Sequence, residues 1–577
     1  MCRCKDLPQD FVRLAVLISL LAACAFAAQA QVVFSPPVNV SAHSTSTLGV
    51  PSDPQVAVDR SNNIDIVWDY NPTSAGHDIY FSRSTDGGRT FSAPLNISKH
   101  PGSSQNPQIA LDHNGNVNVF WVGDITGSPN LFFSRSNDGG ATFSVPQNVS
   151  TGVGASVSFF PQSIAVDTSN NINVAWVGIN GQVFFARSAD GGLNFSAPLN
   201  ISNYPNAVEF AFVAVDGAGN INILWQGFIT FYALGFAGCA DYGLFLSRST
   251  DGGATFTTSQ NIATNTQFGA FWHRFAVDSG GKIDIVYNAS CPFSSPPVND
   301  LFFTESRDNG ASFSSPLILT APTIGGSGGN FLQLGLGSSG SNIYVAWPGT
   351  DPQSGRGVTV FNRSTDSGST FSAANPISTN SGAFQIAVDS FGNIDILSGG
   401  SGGMLRSTDG GAAFSSVSLP DNSFASIIQS SFALDTAGDI NLIWLGYASQ
   451  PSQQDVFFSR GTVLALASLG LNVTSVAGGS TATGTVRLNA PAPAGGTVVS
   501  LSSSKSSATV PSSVTVAPGF TNVTFTVSTS RVLCLNSAAI SGSFSGVTQT
   551  ANLAVMPFVT LPQQACAAIT AHGGGPH

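Results

Sequence analysis

An eight-residue phrase, Ser-Thr-Asp-Gly-Gly-Arg-Thr-Phe at Ser84–Phe91, returns along the chain at intervals of roughly fifty residues, which indicates a repeat architecture. Each copy lies between two apolar runs, so the phrase predicts the turn of a β-hairpin. Its aspartate can accept N–H groups inside the turn, and its glycines permit positive φ. Its closing phenylalanine is predicted to pack the turn against its own sheet. The further copies are SNDGGATF (136–143), SADGGLNF (188–195), STDGGATF (249–256), SRDNGASF (306–313), STDSGSTF (364–371) and STDGGAAF (407–414).

Each repeat contains more than this phrase. An apolar run ending in Asp, such as Val56–Asp59, leads through a polar turn into an alternating run that usually ends in Trp, such as Ile64–Trp68. With the two runs that flank the phrase, each unit predicts four antiparallel strands, here called A to D. Four-stranded sheets repeated around an axis form a β-propeller. The units centre on Asp59, Asp112, Asp167, Asp216, Asp278, Leu336, Asp389 and Asp435.

The predicted fold class is therefore all-β, a propeller in which eight blades are favoured. Seven blades stay open, because the unit at Asp389 is short and has Ser398 where Trp is expected. The last unit lacks both the phrase and strand D, whereas Val33–Ser41 has the pattern of a strand D without a blade. We predict that Val33–Ser41 pairs with Val456–Arg460 and closes the ring, which removes an open sheet edge. The propeller then occupies residues 31–461.

Composition changes after Gly461 to Ser, Thr, Val and Ala. About seven short alternating segments separated by Gly and Pro turns predict a β-sandwich over residues 462–557. Thr483–Arg487 and Thr521–Val527 are two of these segments. The stretch resembles the Ig-like modules appended to exported bacterial proteins. The remaining tail, residues 558–577, is predicted to be mobile.

Residues 1–30 have the pattern of a signal peptide. A charged start precedes the apolar run Leu14–Ala27, and Ala28–Ala30 fits an A-x-A cleavage site. The run is too short to span a bilayer comfortably. Leu21–Cys24 also resembles a bacterial lipobox, which would leave Cys24 lipidated and the protein anchored. Both alternatives predict export, so the protein is expected to be secreted or associated with the cell envelope.

The net charge of the chain limits the kinds of molecule that it is expected to bind. Only 9% of residues are charged, and the formal net charge is −11. Residues 1–30 carry three basic and two acidic residues, so their removal leaves −12. An acidic surface with few Lys and Arg argues against nucleic acid as a partner. No metal site and no cofactor are predicted.

The repeated phrase resembles the Asp-box, or BNR repeat, of the sialidase superfamily. The family pattern is Ser-x-Asp-x-Gly-x-Thr-Trp, and here Phe stands in place of Trp. The resemblance covers about Val56–Gly461 and implies a propeller, but the motif is a turn that also occurs in proteins that are not sialidases. One active site does not need seven copies of a carboxylate, so we interpret these aspartates as structural. They are Asp86, Asp138, Asp190, Asp251, Asp308, Asp366 and Asp409.

The resemblance also implies a catalytic set that the chain does not match. Sialidases bind the substrate carboxylate with three Arg and use a Tyr activated by Glu as nucleophile, an exception among glycosidases. Of the twelve Arg in the predicted propeller, only Arg274 and Arg356 lie outside repeated positions, and Glu209 is the one Glu outside them. The favoured function is therefore a binding or surface protein for a glycan or a cell-surface ligand. A sialidase or related glycoside hydrolase is the alternative.

Variable loops between strands B and C and between D and A share one face of a propeller, where function is expected. Trp272, His273 and Arg274 lie there before the fifth strand A, and further candidates are Glu209, Tyr232 and His77. Aromatic faces suit sugar rings, and a lone Arg can hold a carboxylate in a bidentate contact. The alternative is that Trp272 belongs to the core and Arg274 pairs with a nearby Asp.

The cysteines predict two disulfides in an exported protein. Cys239 and Cys291 lie in the B–C loops of consecutive units, so we expect them to be neighbours and to pair. Cys534 is expected to tie down the tail through Cys566. A Cα separation beyond about 7 Å would rule out either bridge.

Overall fold

A computed structural model describes residues 31–557, in which every regular element is a β-strand. The ranges left out inside it are 42–49, 74–75, 100–101, 125–126, 156–162, 205, 207, 232–239, 264–269, 292–297, 321–333, 352, 380–383, 399–402, 421–428, 448–453 and 494. Over the described ranges, no helix has the length and apolarity to cross a membrane. Contacts divide the chain into two compact units, Phe34–Gly461 and Thr462–His577, with Met1–Val33 assigned to the second.

The unit Phe34–Gly461 consists of antiparallel sheets, most of which take their strands A to D consecutively from the sequence. Two short strands, β1 (Val32–Phe34) and β2 (Val38–Asn39), precede them. Sheet 1 contains β3 (Pro51–Val58), β4 (Ile64–Thr73), β5 (Gly76–Ser84) and β6 (Leu95–Asn96). Sheet 2 contains β7 (Ser104–Leu111), β8 (Val117–Asp124), β9 (Pro129–Ser136) and β10 (Gln147–Asn148). Sheet 3 contains β11 (Ser163–Val166), β12 (Ile172–Val177), β13 (Val183–Ser188) and β14 (Leu199–Asn200).

The following sheets keep this order of strands. Sheet 4 contains β15 (Val208–Val215), β16 (Ile221–Phe231), β17 (Ala240–Ser249) and β18 (Gln260–Asn261). Sheet 5 contains β19 (Ala270–Val277), β20 (Ile283–Cys291), β21 (Val298–Ser306) and β22 (Leu317–Ile318). Sheet 6 contains β23 (Gly335–Ser339), β24 (Asn342–Thr350), β25 (Gly357–Ser364) and β26 (Asn375–Ser378). Sheet 7 contains β27 (Phe384–Val388), β28 (Ile394–Ser398), β29 (Gly403–Ser407) and β30 (Ser415–Val417). Sheet 8 contains β31 (Ser430–Leu434), β32 (Ile440–Tyr447) and β33 (Gln454–Val463), with β1 and β2 paired to β33.

Repeated Asp and Arg residues hold most of these sheets together at the A–B turn. In sheet 1, Asp59 accepts the Asn63 N–H at 2.9 Å and the Arg83 guanidinium at 2.6 Å. Because Arg83 lies on strand C, this ion pair fastens strand C to the turn. The same pair recurs as Arg135–Asp112, Arg187–Asp167, Arg406–Asp389 and Arg460–Asp435. Sheet 5 reverses the charges, since Glu305 replaces the Arg and binds Lys282 Nζ at 3.2 Å.

The repeated phrase forms a hydrogen-bonded turn that contacts the preceding sheet. Asp86 accepts the Thr90 hydroxyl at 2.6 Å and the Thr90 N–H at 2.9 Å, and these bonds lower the pKa of Asp86 to about 2. The closing Phe packs against its own sheet, as expected, and also against the preceding one, since Phe143 shares a core cluster with Val117 of sheet 2 and Val67 of sheet 1. The ring of Phe143 lies 4.9 Å from that of Phe81, which belongs to the sheet before it. The close approach of the turn to the preceding sheet requires Gly140, since a Cβ there would lie 2.1 Å from the Phe81 ring.

The ring closes between sheet 8 and sheet 1. Val38 pairs with Phe458 and Asn39 with Phe457, and the Val40 N–H donates to Val456 O at 2.8 Å. The predicted pairing of the N-terminal segment with the last unit is therefore confirmed. Phe91 of sheet 1 packs on the Phe458 ring at 5.0 Å, as its counterparts do between consecutive sheets. An all-β fold of four-stranded sheets that contact one another in a closed order is a β-propeller.

The second unit contains two further sheets. Its strands are β34 (Leu466–Leu471), β35 (Ser475–Ala477), β36 (Thr481–Leu488), β37 (Thr497–Ser503), β38 (Ala508–Thr509), β39 (Ser513–Val516), β40 (Asn522–Thr529), β41 (Asn536–Phe544) and β42 (Val547–Met556). The sheet orders are β34-β36-β40-β38 and β35-β42-β41-β37-β39. Val486 and Val527 of the first sheet and Ile540 and Leu553 of the second share one buried core. Residues on β36 alternate between buried and exposed, as expected for a sheet with one face against a core.

Candidate functional site

A cavity of ≈ 230 Å³ lies among the inner strands of the propeller. Its walls come from strand A of sheets 3, 4 and 5, which are β11, β15 and β19. Because strands A surround the axis of a propeller, the cavity belongs to the central channel. Two of the predicted site residues, His273 and Arg274, line it. The remaining lining residues are Ser163, Phe212, Val213, Ala214 and Phe275.

Arg274 occupies a repeated position on strand A, which we call the inner column. Each member of the column is the strand A residue that pairs with one particular residue of strand B. That strand B residue is the one immediately before the repeated Trp, or before the residue that replaces the Trp. The inner column consists of Gln55, Gln108, Ser163, Phe212, Arg274, Gly335, Gln385 and Ser431. Arg274 is its charged member, and the other members are neutral. Comparison among repeats thus marks Arg274 as the position where the chain departs from its own pattern.

Polar members of the inner column bind the backbone of the next inner strand. Gln385 Nε2 donates to Phe432 O at 2.7 Å, and Ser163 Oγ accepts the Val213 N–H at 3.0 Å. Arg274 behaves differently, because its Nη1 donates at 2.9 Å to the carbonyl of the preceding residue, His273. Arg274 forms no ion pair with any residue in the described ranges, so the suggested pairing with a nearby Asp is not found there.

The cavity therefore contains a cation without a counter-ion from the described chain. Burial lowers the pKa of the Arg274 guanidinium, but an arginine keeps its proton in any protein environment near neutral pH. Placing a charge away from water without a partner is costly. One edge of the guanidinium, Nε and Nη2, carries no hydrogen bond to described residues. That edge matches the geometry of a carboxylate or another planar anion.

Aromatic rings surround His273 on the same side of the cavity. His273 is buried, and its ring meets the edges of Phe210 and Phe212 at centroid distances of 5.8 and 5.4 Å. Phe210 has a φ of 52°, at a bulge between Glu209 and Ala211 in β15. β19 has a bulge at the equivalent place, between Ala270 and His273. These bulges turn the ends of both inner strands.

The expectation that Trp272, His273, Arg274 and Glu209 lie in loops is wrong. They lie in β19 and β15, because a bulge adds a residue and hides the continuation of the strand from the alternating pattern. The side chain of Trp272 lies outside the described part, and so does the whole of Tyr232.

Two titratable residues with raised pKa values, Glu209 and Tyr242, lie on β15 and β17 of sheet 4. Glu209 is half-buried, and burial raises its pKa. Tyr242 on β17 has a raised pKa, chiefly through burial and further through the charge of Glu209. Glu209 does not line the cavity. Nothing in the sequence singles out Tyr242, because a tyrosine at the start of strand C fits the apolar pattern of that strand.

The predicted bridge between Cys239 and Cys291 stays a prediction, because Cys239 and the Cys291 side chain lie outside the described residues. Cys534 is in a disulfide, and its partner also lies outside them. Across the described ranges, no three His, Cys, Asp or Glu side chains are grouped so that they could hold a metal ion.

No family model and no curated protein matches the chain. Among solved structures, the polysaccharide lyase Uly1 is similar, with a TM-score of 0.42 at 10% identity over 64% of this chain and 92% of that one. The GH93 α-L-arabinofuranosidase of Fusarium graminearum has a TM-score of 0.37 at 10% identity, over 74% and 97%. A protein of unknown function from Dyadobacter fermentans has a TM-score of 0.34 at 16% identity, over 57% and 98%. Likenesses this remote carry no argument about function.

Proposed function

We propose that the protein is an exported, sialidase-like propeller of eight blades with a C-terminal Ig-like module, and that it binds acidic glycans in its central channel. The observation that carries the proposal is Arg274, a cation that lines a cavity and has no counter-ion among the described residues. Export rests on the pattern of residues 1–30, with lipidation at Cys24 as the alternative to free secretion. The function favoured is binding at the cell surface or outside the cell.

The architecture in this proposal takes each of sheets 1 to 8 as one blade. Seven copies of the Asp-box turn and the closing contacts between sheets 8 and 1 support that assignment. The Ig-like assignment of the second unit is supported by two sheets that share one core. A small module of this kind typically displays or anchors the domain that binds a ligand.

The ligand class follows from the chemistry of the lining. Arg274 supplies a planar donor pair for a carboxylate, and Phe212 and Phe275 supply apolar surface for the carbon skeleton of a sugar. An acidic sugar satisfies the charge and the shape together, whereas a neutral sugar would leave the guanidinium unpaired.

The test is a glycan array that contains acidic and neutral oligosaccharides, probed with wild type and with Arg274→Gln. This variant is closely matched, because Gln already occupies the inner column of sheets 1, 2 and 7. We expect wild type to bind acidic glycans and the variant to lose them while keeping its fold. Binding that ignores the charge of the glycan, or that survives in Arg274→Gln, contradicts the proposal.

One observation supports a second candidate function, hydrolysis of a sialoside or a related glycoside. Glu209 acts electrostatically on Tyr242, and the sialidase resemblance implies a Glu–Tyr pair as nucleophile. Turnover of a fluorogenic sialoside by wild type, lost in both Glu209→Gln and Tyr242→Phe, would establish this function. Because the chain does not match the catalytic set that the sialidase resemblance implies, binding without turnover is the outcome we expect.

A further inference from the structure

A second polar cluster lies in sheet 1, away from the Arg274 cavity. Its centre is Asp69, in the middle of strand B (β4), whose side chain is 1% exposed. Asp69 accepts hydrogen bonds from the Ser52 hydroxyl, from the Asn106 N–H at 3.3 Å and from His77 Nδ1 at 3.1 Å. The donors come from strand A, from strand C and from the neighbouring sheet 2. The buried carboxylate of Asp69 therefore accepts hydrogen bonds from three residues, and it fixes the orientation of the His77 imidazole.

The position of Asp69 is neutral in the other sheets that can be compared. The residue that follows the Trp of strand B, or its replacement, is Val122, Val177, Gln226, Asn288, Pro348 or Leu445 there. Burying a carboxylate costs free energy unless it is hydrogen-bonded. Since six sheets hold their strands together without an acid at this place, the fold itself does not require Asp69. We therefore infer that the carboxylate of Asp69 has a role that is specific to sheet 1 and is not the folding of the repeat.

Asp53 lies beside this cluster, on the bulge of strand A. Its N–H donates to Gln429 Oε1 at 2.6 Å, and Gln429 Nε2 donates to Asp53 Oδ1 at 2.8 Å. Gln429 precedes strand A of sheet 8, so the carboxyl is held across the ring closure. Asp53 has a φ of 48° and Asn106, at the same place in sheet 2, a φ of 56°. Positive φ in non-glycine residues is strained, and such strain concentrates at functional positions.

His77 presents its second ring nitrogen away from Asp69. Its side chain is 28% exposed, and Nε2 makes no hydrogen bond to described residues. The acids that act on His77 are Asp69, Asp53 and Asp78, and the hydrogen bond to Asp69 is the main cause of its raised pKa. The neutral Ser103, which precedes the first strand of sheet 2, accepts a hydrogen bond from the backbone N–H of His77 at 3.3 Å. The oriented imidazole and the held carboxyl both adjoin Asp69, since His77 bonds to it and Asp53 follows Ser52, which also bonds to it.

We propose that His77 and Asp53 form a second carbohydrate site, which binds neighbouring hydroxyl groups of a neutral sugar. Each sugar hydroxyl both donates and accepts, so a pair of them can satisfy an imidazole nitrogen and a carboxylate at the same time. The site takes a neutral ligand, because the acids that surround His77 repel anions. It is separate from the Arg274 cavity, which lies in sheets 3 to 5, and it does not depend on the function proposed for that cavity.

The experiment is saturation-transfer difference NMR on the full chain, with the methyl glycosides of glucose, galactose, mannose and xylose as probes. We expect at least one of these glycosides to give a signal with wild type. His77→Gln and Asp53→Asn should weaken its binding by roughly tenfold, since each removes a hydrogen bond to a charged or charge-assisted group. Arg274→Gln should leave the signal unchanged.

The variant Asp69→Asn tests whether Asp69 acts through His77 or only stabilises the fold. Without the carboxylate the pKa of His77, followed through its imidazole carbon resonance, should fall, and the glycoside signal should weaken even if the variant melts like wild type. No signal from any probe with wild type overturns the proposal, and so does a signal that persists in His77→Gln. A signal lost in Arg274→Gln assigns binding to the other cavity and also overturns it. Failure of acidic glycans on the array leaves this result unaffected.

Discussion

Single residues explain where this repeat protein departs from its own pattern. In sheet 2, Arg135 binds Asp112, and the next strand carries the neutral Asn118 beside them. In sheet 7 an acid replaces that Asn, so Arg406 is shared by Asp389 at 3.0 Å and Asp395 at 2.8 Å. Burial raises the pKa of Asp395 to about 7 in spite of Arg406, and Asp389 adds to the rise. Burial likewise raises the pKa of Asp65 in sheet 1 to about 7.

These two acids predict a pH dependence of stability. A carboxyl whose folded pKa is raised stabilises the protein fully below its unfolded pKa of 3.8, and that contribution is lost as pH rises toward about 7. Each group should then lower the free energy of unfolding by up to ~1.4 kcal/mol per pH unit in this window. Urea unfolding at several pH values should show a shallower loss in Asp395→Asn than in wild type. Asn118→Asp is the reciprocal control and should steepen it; identical slopes in all three would refute the assignment.

A second residue-level prediction concerns the second glycine of the repeated phrase. Gly140 has a φ of 82°, and a Cβ there meets the Phe81 ring, whereas Gly219 has a φ of 83° and open space around it. Both Gly→Ala changes carry the cost of a left-handed alanine, about 1–2 kcal/mol. Gly140→Ala should lose a further ~1–3 kcal/mol through overpacking between sheets. Chemical denaturation measures both values, and equal losses would show that the contact between sheets is not tight.

At the level of elements, the chain closes its ring with a strand from its other end. Val40 is buried with Ile443, Val456 and Phe458, and Ser41 Oγ donates to the buried Asp455 at 2.7 Å. The periodic phrase made this closure predictable, because the last unit lacked a strand that the N-terminus supplied. The inward bulges were not predictable in the same way. A bulge breaks the alternation of side chains, so Glu209 and Trp272 were expected in loops although they extend β15 and β19.

The closing strand gives the prediction at this scale. Deleting residues 31–41 exposes the edge of β33 and the core around Val40, so the melting temperature should fall strongly. Ser41→Ala should lower it only slightly, because it removes hydrogen bonds to Asp455 and the Val456 N–H but keeps the strand. A deletion that melts like wild type would mean that β1 and β2 contribute nothing to closure.

At the level of the whole molecule, the repeat creates a symmetric channel, and function is expected where that symmetry is broken. Arg274 breaks it in the inner column and Asp69 after the Trp of strand B. The sequence already separated Arg274 from the repeated arginines, but it could not show that Arg274 lines a cavity or that no described residue pairs with its charge. Asp69 escaped notice because an acid after Trp68 resembles an ordinary turn residue until its burial is seen.

A cation without a counter-ion among the described residues also predicts the direction of a stability change. Arg274→Gln removes a charge from the cavity and restores the residue that bonds to the next inner strand in sheet 7. The melting temperature of the ligand-free variant should therefore equal or exceed that of wild type, measured by calorimetry. A clear fall would indicate that Arg274 has a structural partner and would weaken the case for a ligand.

The most direct test of the central claim is a calorimetric titration with an acidic oligosaccharide selected on the array and with its methyl ester. If Arg274 holds a carboxylate, wild type should bind the acid at least tenfold more tightly than the ester, a difference of about 1.4 kcal/mol. Arg274→Gln should bind both forms equally weakly. Equal affinities of wild type for the acid and the ester would contradict the account.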